Sequence, residues 1–215
     1  MNAAKIRLSE EEMLLLKNAG WILTKNNALE KVKRMLGELL ILLQEIIQEK
    51  GKVYFPAEVL ASAGKISRGE NYLGLPWVIL DHPRYFEKGN TMAFRTLFWW
   101  GRCFSITLHL SGRYKSRFEK SILCQYDTIR ATASTENKPL YICVNGNEWE
   151  HHFEETNYRP IQRLDKTEWE KLILEKPFIK LAKMIPLDEW NGQTDINEIL
   201  AWQYRSLLDL LKQED

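Results

Sequence analysis

The sequence predicts an α+β protein, with a largely antiparallel sheet over about residues 72–153 flanked by an N-terminal helical hairpin and C-terminal helices. Three observations carry that expectation. Between Tyr72 and Leu110 the chain concentrates aromatic and β-branched side chains, in the runs YLGLPWVILDHPRYF and FRTLFWWGRCFSITLHLSGRY. Ahead of them, residues 28–48 repeat apolar side chains every three and four positions, and residues 195–211 do so near the other end. With 215 residues, 45% of them apolar, the chain can bury a core as one α+β domain, 1–215, with residues 1–50 packed on it or used for dimerisation.

In chain order, Ser9 and Glu12 form a capping box that starts a helix over residues 9–18, which Gly20 is placed to stop. Ala28, Val32, Met35, Leu36, Leu39, Leu43, Ile46 and Ile47 stripe a second helix that Gly51 closes. Its stripe is widened by Leu40, Ile41 and Leu42, so this Leu-rich helix is the candidate for a homodimer contact. Lys52 to Asn71 reads as a short helix near Ala57–Ala63 and a loop. Leu73–Leu80 is apolar on both alternate sets, and His82-Pro83 ends that strand.

Gly101-Arg102 suits a two-residue turn joining Phe94–Trp100 to Cys103–Leu110. In that register Arg95, Leu97, Trp99, Phe104, Ile106 and Leu108 share a core face, and Phe94, Thr96, Phe98, Trp100, Cys103, Ser105, Thr107 and His109 share the other. Tyr114 to Gln125 reads as a helix and TASTENKP as a loop. Asn145-Gly146 is the strongest local turn signal, joining LYICV to NEWEHHF as a hairpin. Thr167 and Glu170 form a second capping box, FIKLAKMIPL is a candidate strand, and Asp195 caps the last helix.

Thirty basic against 29 acidic residues argue against a nucleic-acid coat or a membrane-surface protein. The distribution is uneven: residues 51–134 hold 12 basic and 6 acidic side chains, and residues 135–215 hold 10 and 16. Cys103, Cys124 and Cys143 are odd in number, widely spaced and lack a CxxC pair, so they read as reduced thiols of a cytoplasmic, soluble protein. No apolar run is long enough to span a membrane and no secretory signal opens the chain.

Four constellations could carry chemistry. Glu148, Glu150 and His152 alternate on one strand face and could ligate a divalent metal, although a solvated edge accounts for them as well. Asp81-His82-Pro83-Arg84 sits at a strand end, with an Asp81–Arg84 pair as its plainest reading. Cys103 or Cys124 with His82 or His109 lacks any local support as a nucleophile. Arg102, Arg113, Lys115, Arg117 and Lys120 with Trp99, Trp100 and Tyr114 make a basic aromatic segment that carries no nucleic-acid-binding signature.

No complete catalytic motif is present, and none calls for a cofactor or a bound metal. The leading expectation is a non-catalytic binding role, for a small anionic ligand or a protein partner. It uses an aromatic and Arg-rich sheet face built from His82, Arg84, Arg95, Phe98, Trp100, Thr107, His109 and Arg113. An enzyme with a His base and an Arg anion clamp is the competing class, and nucleic acid is the third.

Overall fold

The computed structural model describes residues 6–135, 139–190 and 194–212. The order of elements is α1 (Glu10–Lys17), α2 (Ala19–Tyr54), α3 (Ala57–Leu60), β1 (Lys65–Tyr72), β2 (Leu75–Glu87), β3 (Asn90–Trp99), β4 (Cys103–Ser111), α4 (Arg113–Cys124), α5 (Tyr126–Thr135), β5 (Leu140–Cys143), β6 (Tyr158–Pro160), α6 (Lys166–Glu175), β7 (Phe178–Pro186) and α7 (Ile196–Leu208). The strands form one antiparallel sheet in the order β1-β2-β3-β4-β7-β5-β6. This is the expected α+β class, with helices before, within and after the sheet.

Alternation decides which sheet face meets the helices. Val78, Leu80, Phe94, Phe98, Phe104, Ile106, Leu108, Leu181 and Ile185 join one buried cluster with residues of α2, α4, α6 and α7. The stripe Leu29, Val32, Leu36, Leu39, Leu43 and Ile46 of α2 lies in the same cluster. Its own sheet covers that stripe, so these buried residues are not free to make a dimer contact, while Ile41 beside them stands exposed. Helix α2 also runs farther than expected at both ends. Asn18, not Gly20, makes the break: its backbone closes α1 and its side chain accepts from Trp21 N at 3.3 Å. At the other end the helix passes Gly51 and stops just before Pro56, which cannot supply a helical N–H.

Four further stretches differ from the sequence reading. Residues 65–72 are an edge strand, and only Ala57–Leu60 is helical in the stretch before it. Strand β2 continues through His82-Pro83, a cis peptide, with the register shifting between Asp81 and Arg84. The second capping box uses Asp165 and Glu168, two residues ahead of Thr167 and Glu170. The loop expected at TASTENKP is helical up to Thr135, and residues 136–138 lie outside the described residues.

Gly112 links β4 to α4 at φ +55°, and a Cβ built there would overlap the carbonyl oxygen of Gly89 and the side chain of Asn90. Asn90 in turn accepts the Arg113 amide at 3.0 Å, tying the β2–β3 turn to the start of α4. Gly112→Ala is therefore expected to cost about 2–3 kcal/mol, since backbone rather than a flexible side chain must yield at a positive φ. Thermal unfolding checks it, and an unchanged Tm would show that the approach is not tight.

Candidate functional site

The other face of the sheet mixes charged and polar side chains with an apolar cluster and is only partly covered. From β1 to β3 it presents Lys65, Ser67, Trp77, Ile79, Asp81, Arg84, Phe86, Arg95 and Leu97, and on β4 and β7 it presents Ser105, Thr107, His109 and Lys180. Residues 144–157 fold over the β4–β7 side and leave a cavity of about 530 Å³ above β1–β3. Trp149 and His151 from this loop form the cavity's far wall, with Tyr72 and Trp77 at one end and Phe86 at the other. Trp77 lies over Gly69, where a Cβ would come within 2.5 Å of its indole, so the glycine in the edge strand makes room for that wall.

A buried network fixes the loop to the sheet. Arg95 donates to both oxygens of Asp81, from Nε at 2.7 Å and from Nη2 at 3.0 Å. Its third nitrogen, Nη1, lies 3.1 Å from His151 Nε2, and its guanidinium stacks near Phe86 and Trp149 at 5.9 and 6.0 Å. A guanidinium and an ammonium can only donate, and each ring nitrogen of His151 faces one of them, Nε2 facing Arg95 and Nδ1 facing Lys180. Lys180 lies 3.4 Å from that Nδ1 and donates to the carbonyls of Glu148, at 2.9 Å, and Glu150. Tyr72 accepts the amides of His151 and His152 at 2.7 and 3.0 Å and donates to Glu150 at 2.9 Å. His109 meets Glu148 at 2.7 Å.

Burial sets the titration of these groups. Removal from water holds His151 well below its ordinary value, and the cations Lys180 and Arg95 push the same way. Burial likewise lowers His109 and brings Lys180 down to about 8. The Tyr72 phenol rises to about 12, mainly through burial. Hydrogen bonding from His109 lowers Glu148.

The residues singled out from sequence do not gather in one place. Arg84 and Arg95 line the cavity, whereas Thr107 and His109 lie on the same face under the loop. Phe98 and Trp100 belong to the opposite side, where they line an apolar groove against α2. The cause is the β3–β4 turn: Trp99 opposes Cys103 across three residues, not two, so each β4 side chain moves to the face opposite the one expected. His82 is buried at the bulge, without a hydrogen-bond partner among the described residues, and burial alone lowers it to about 4. Arg113 lies at the start of α4, bonded to Glu58 and Tyr114.

Two smaller expectations fail for related reasons. Residues 147–153 are not a strand: the Asn145 side chain accepts the Asn147 amide and β5 pairs instead with Tyr158–Pro160. Glu148, Glu150 and His152 therefore share no face, and no group of three or more His, Cys, Asp or Glu side chains at metal-binding spacing occurs among the described residues. Asp81 pairs with Arg95, not Arg84. In the basic aromatic segment, Arg102 stacks on Trp99 at one end of β4, while Arg113 and Lys115 are bonded to Glu58 and Glu119 beyond the other end. A nine-residue strand holds these groups roughly 27 Å apart.

Lys65, Ser67, Trp77, Phe86, Trp149, His151 and Lys180 were not picked out from sequence. The polar residues of β1 concealed an edge strand, and no local pattern reveals that a distant loop will close over it. No helix among the described residues is long and apolar enough to cross a membrane. No family model, curated protein or solved structure matches the chain.

Proposed function

We propose that the cavity over β1–β3 binds a small anionic ligand that carries an aromatic or other flat apolar body. The observation behind this reading is the charge balance of the lining: Lys65, Arg84 and Arg95 face a single carboxylate, Asp81, which Arg95 already engages on both oxygens. Arg84 holds its Nε to the carbonyl of Ala63 at 3.1 Å, and neither it nor Lys65 has a carboxylate partner among the described residues. Trp77, Phe86 and Trp149 supply the apolar walls against which a flat ligand would lie. An acidic, aromatic side chain of a protein partner would satisfy the same groups, with the ligand's chemistry unchanged.

Binding is favoured over catalysis by the state of His151. It meets Arg95 in a concave site, as a base beside an anion clamp would, but both of its ring nitrogens face cations, Arg95 at 3.1 Å and Lys180 at 3.4 Å. No free acceptor on that ring is left to take a substrate proton.

Thermal shift followed by calorimetry tests the proposal, with aryl carboxylates and aryl phosphates compared against their neutral analogues. The charged compounds are expected to raise Tm and the neutral ones to do so less, because a ligand selective for the native state stabilises it by mass action. The double variant Lys65→Gln/Arg84→Gln should weaken binding by about tenfold or more at unchanged fold, since both side chains reach outward from the sheet. Equal shifts for charged and neutral compounds, or binding indifferent to the double variant, would rule the proposal out.

A further inference from the structure

We infer that the N-terminal arm, residues 8–23, is one half of a self-complementary interface and that its occupant is a second copy of this chain. Helix α1 buries none of its residues. Met13 to Leu16 are consecutive and apolar, so they ring the helix, and they stand 40–69% exposed. Trp21 to Leu23 repeat this at the start of α2, at 49–66% exposed. An eight-residue helix is too short to persist in water through its own hydrogen bonds. The seven side chains together expose roughly 700 Å², about what each partner contributes to a stable interface.

A receiving surface lies farther along α2. An apolar groove of about 380 Å³ is lined by Ala28 and Val32 of α2, by Phe98 and Trp100, and by Leu187 and Trp190, with Lys31 beside them. Trp21, Ala28 and Val32 fall on one stripe of α2, so arm and groove are continuous. The charges are complementary as well. Glu10 and Glu11 precede the apolar ring of α1, and Lys31 is exposed with no acidic partner among the described residues. The apolar ring of α1 cannot fill its own groove: hinged at Asn18, it extends only about 8 Å to Met13, whereas Ala28, at the near end of the groove, lies about 14 Å along α2 from Ala19. Placing α1 of each copy in the groove of the other gives a reciprocal, closed two-fold pair.

Sedimentation velocity on the full chain, up to about 100 μM, tests this directly. The expected species has twice the 25.4 kDa chain mass. Leu15→Glu should weaken the dimer by about 100-fold or more and lose at most the helical signal of α1, with the rest of the fold intact, since Leu15 stands 57% exposed in its own chain. Lys31→Glu should weaken it too, and adding Glu10→Lys and Glu11→Lys to that variant should restore it. A wild-type monomer throughout the range, or a dimer insensitive to Leu15→Glu, would overturn the inference. A monomer that pellets with phosphatidylcholine vesicles would also overturn it and would assign the arm to a lipid surface.

Discussion

Acidification from pH 7.5 to 5 is expected to remove about 2 kcal/mol of stability through His82 alone, with the other buried imidazoles adding to it, and to lower Tm by roughly 5 °C or more. The cause is a set of buried imidazoles that fold without their protons. His82 has a native value of about 4 set by burial, and His151 is held well below its ordinary value by burial and by the cations around it. In the unfolded chain both titrate near 6.5. Below that value the unfolded state binds protons that the native state refuses, so stability falls as pH falls, by about 1.4 kcal/mol per unit for each group. At pH 5 His82 accounts for about 2 kcal/mol, a sizeable part of the ~5–15 kcal/mol a domain of this kind commands, and His151 adds in the same direction. His109, also lowered by burial, adds in the same direction. Denaturant titrations at several pH values measure the slope. His82→Leu should reduce that slope by one proton, and a wild-type stability flat between pH 7.5 and 5 would refute the account.

The same residues show what could be read in advance. The helix-facing core was legible because α2 and α7 repeat apolar residues at helix spacing and β2 to β4 are dense in aromatic and β-branched residues. The site was not legible, for two reasons. First, a sheet face is defined by parity, and one extra residue in the Trp100-Gly101-Arg102 turn, where Gly101 sits at φ +65°, exchanges the faces of β4 relative to β3. Aromatic Phe98 and hydroxyl-bearing Thr107 were thus placed together although the sheet separates them. Second, the loop at 144–157 is held by contacts that local sequence does not encode: Lys180 to its carbonyls, Tyr72 to its amides and His109 to Glu148. Asn145-Gly146 does not make the expected hairpin turn: neither residue has a positive φ, and the Asn145 side chain accepts the Asn147 amide as the chain leaves the sheet. Arg84 and Arg95 were found because an arginine within a strand-like run is conspicuous wherever the strand points.

Asp81→Ala is expected to cost about 3–5 kcal/mol, the usual penalty for leaving one partner of a buried ion pair alone. Both side chains are largely enclosed, at 9% exposed for Asp81 and 16% for Arg95, and Phe86 and Trp149 stand over the guanidinium. The two halves of the pair should respond differently to acid. Arg95 cannot shed its proton, so the cost of Asp81→Ala should persist at pH 5. Arg95→Met instead strands a carboxylate, which acid can neutralise, so its cost should shrink as pH falls. Equal pH behaviour of the two variants would show that the pair is solvated rather than buried. Asp81→Asn then separates stability from binding, because it keeps an acceptor for Arg95 while removing the one carboxylate that lines the cavity among the described residues. Its Tm should fall, yet an aryl carboxylate or phosphate should bind it several-fold more tightly than wild type, since the charge opposing Lys65 and Arg84 has gone. A site that served only to brace the loop would lose stability and gain no affinity, so calorimetry on this one variant distinguishes a cavity built for an anion from a buried pair that merely holds the fold.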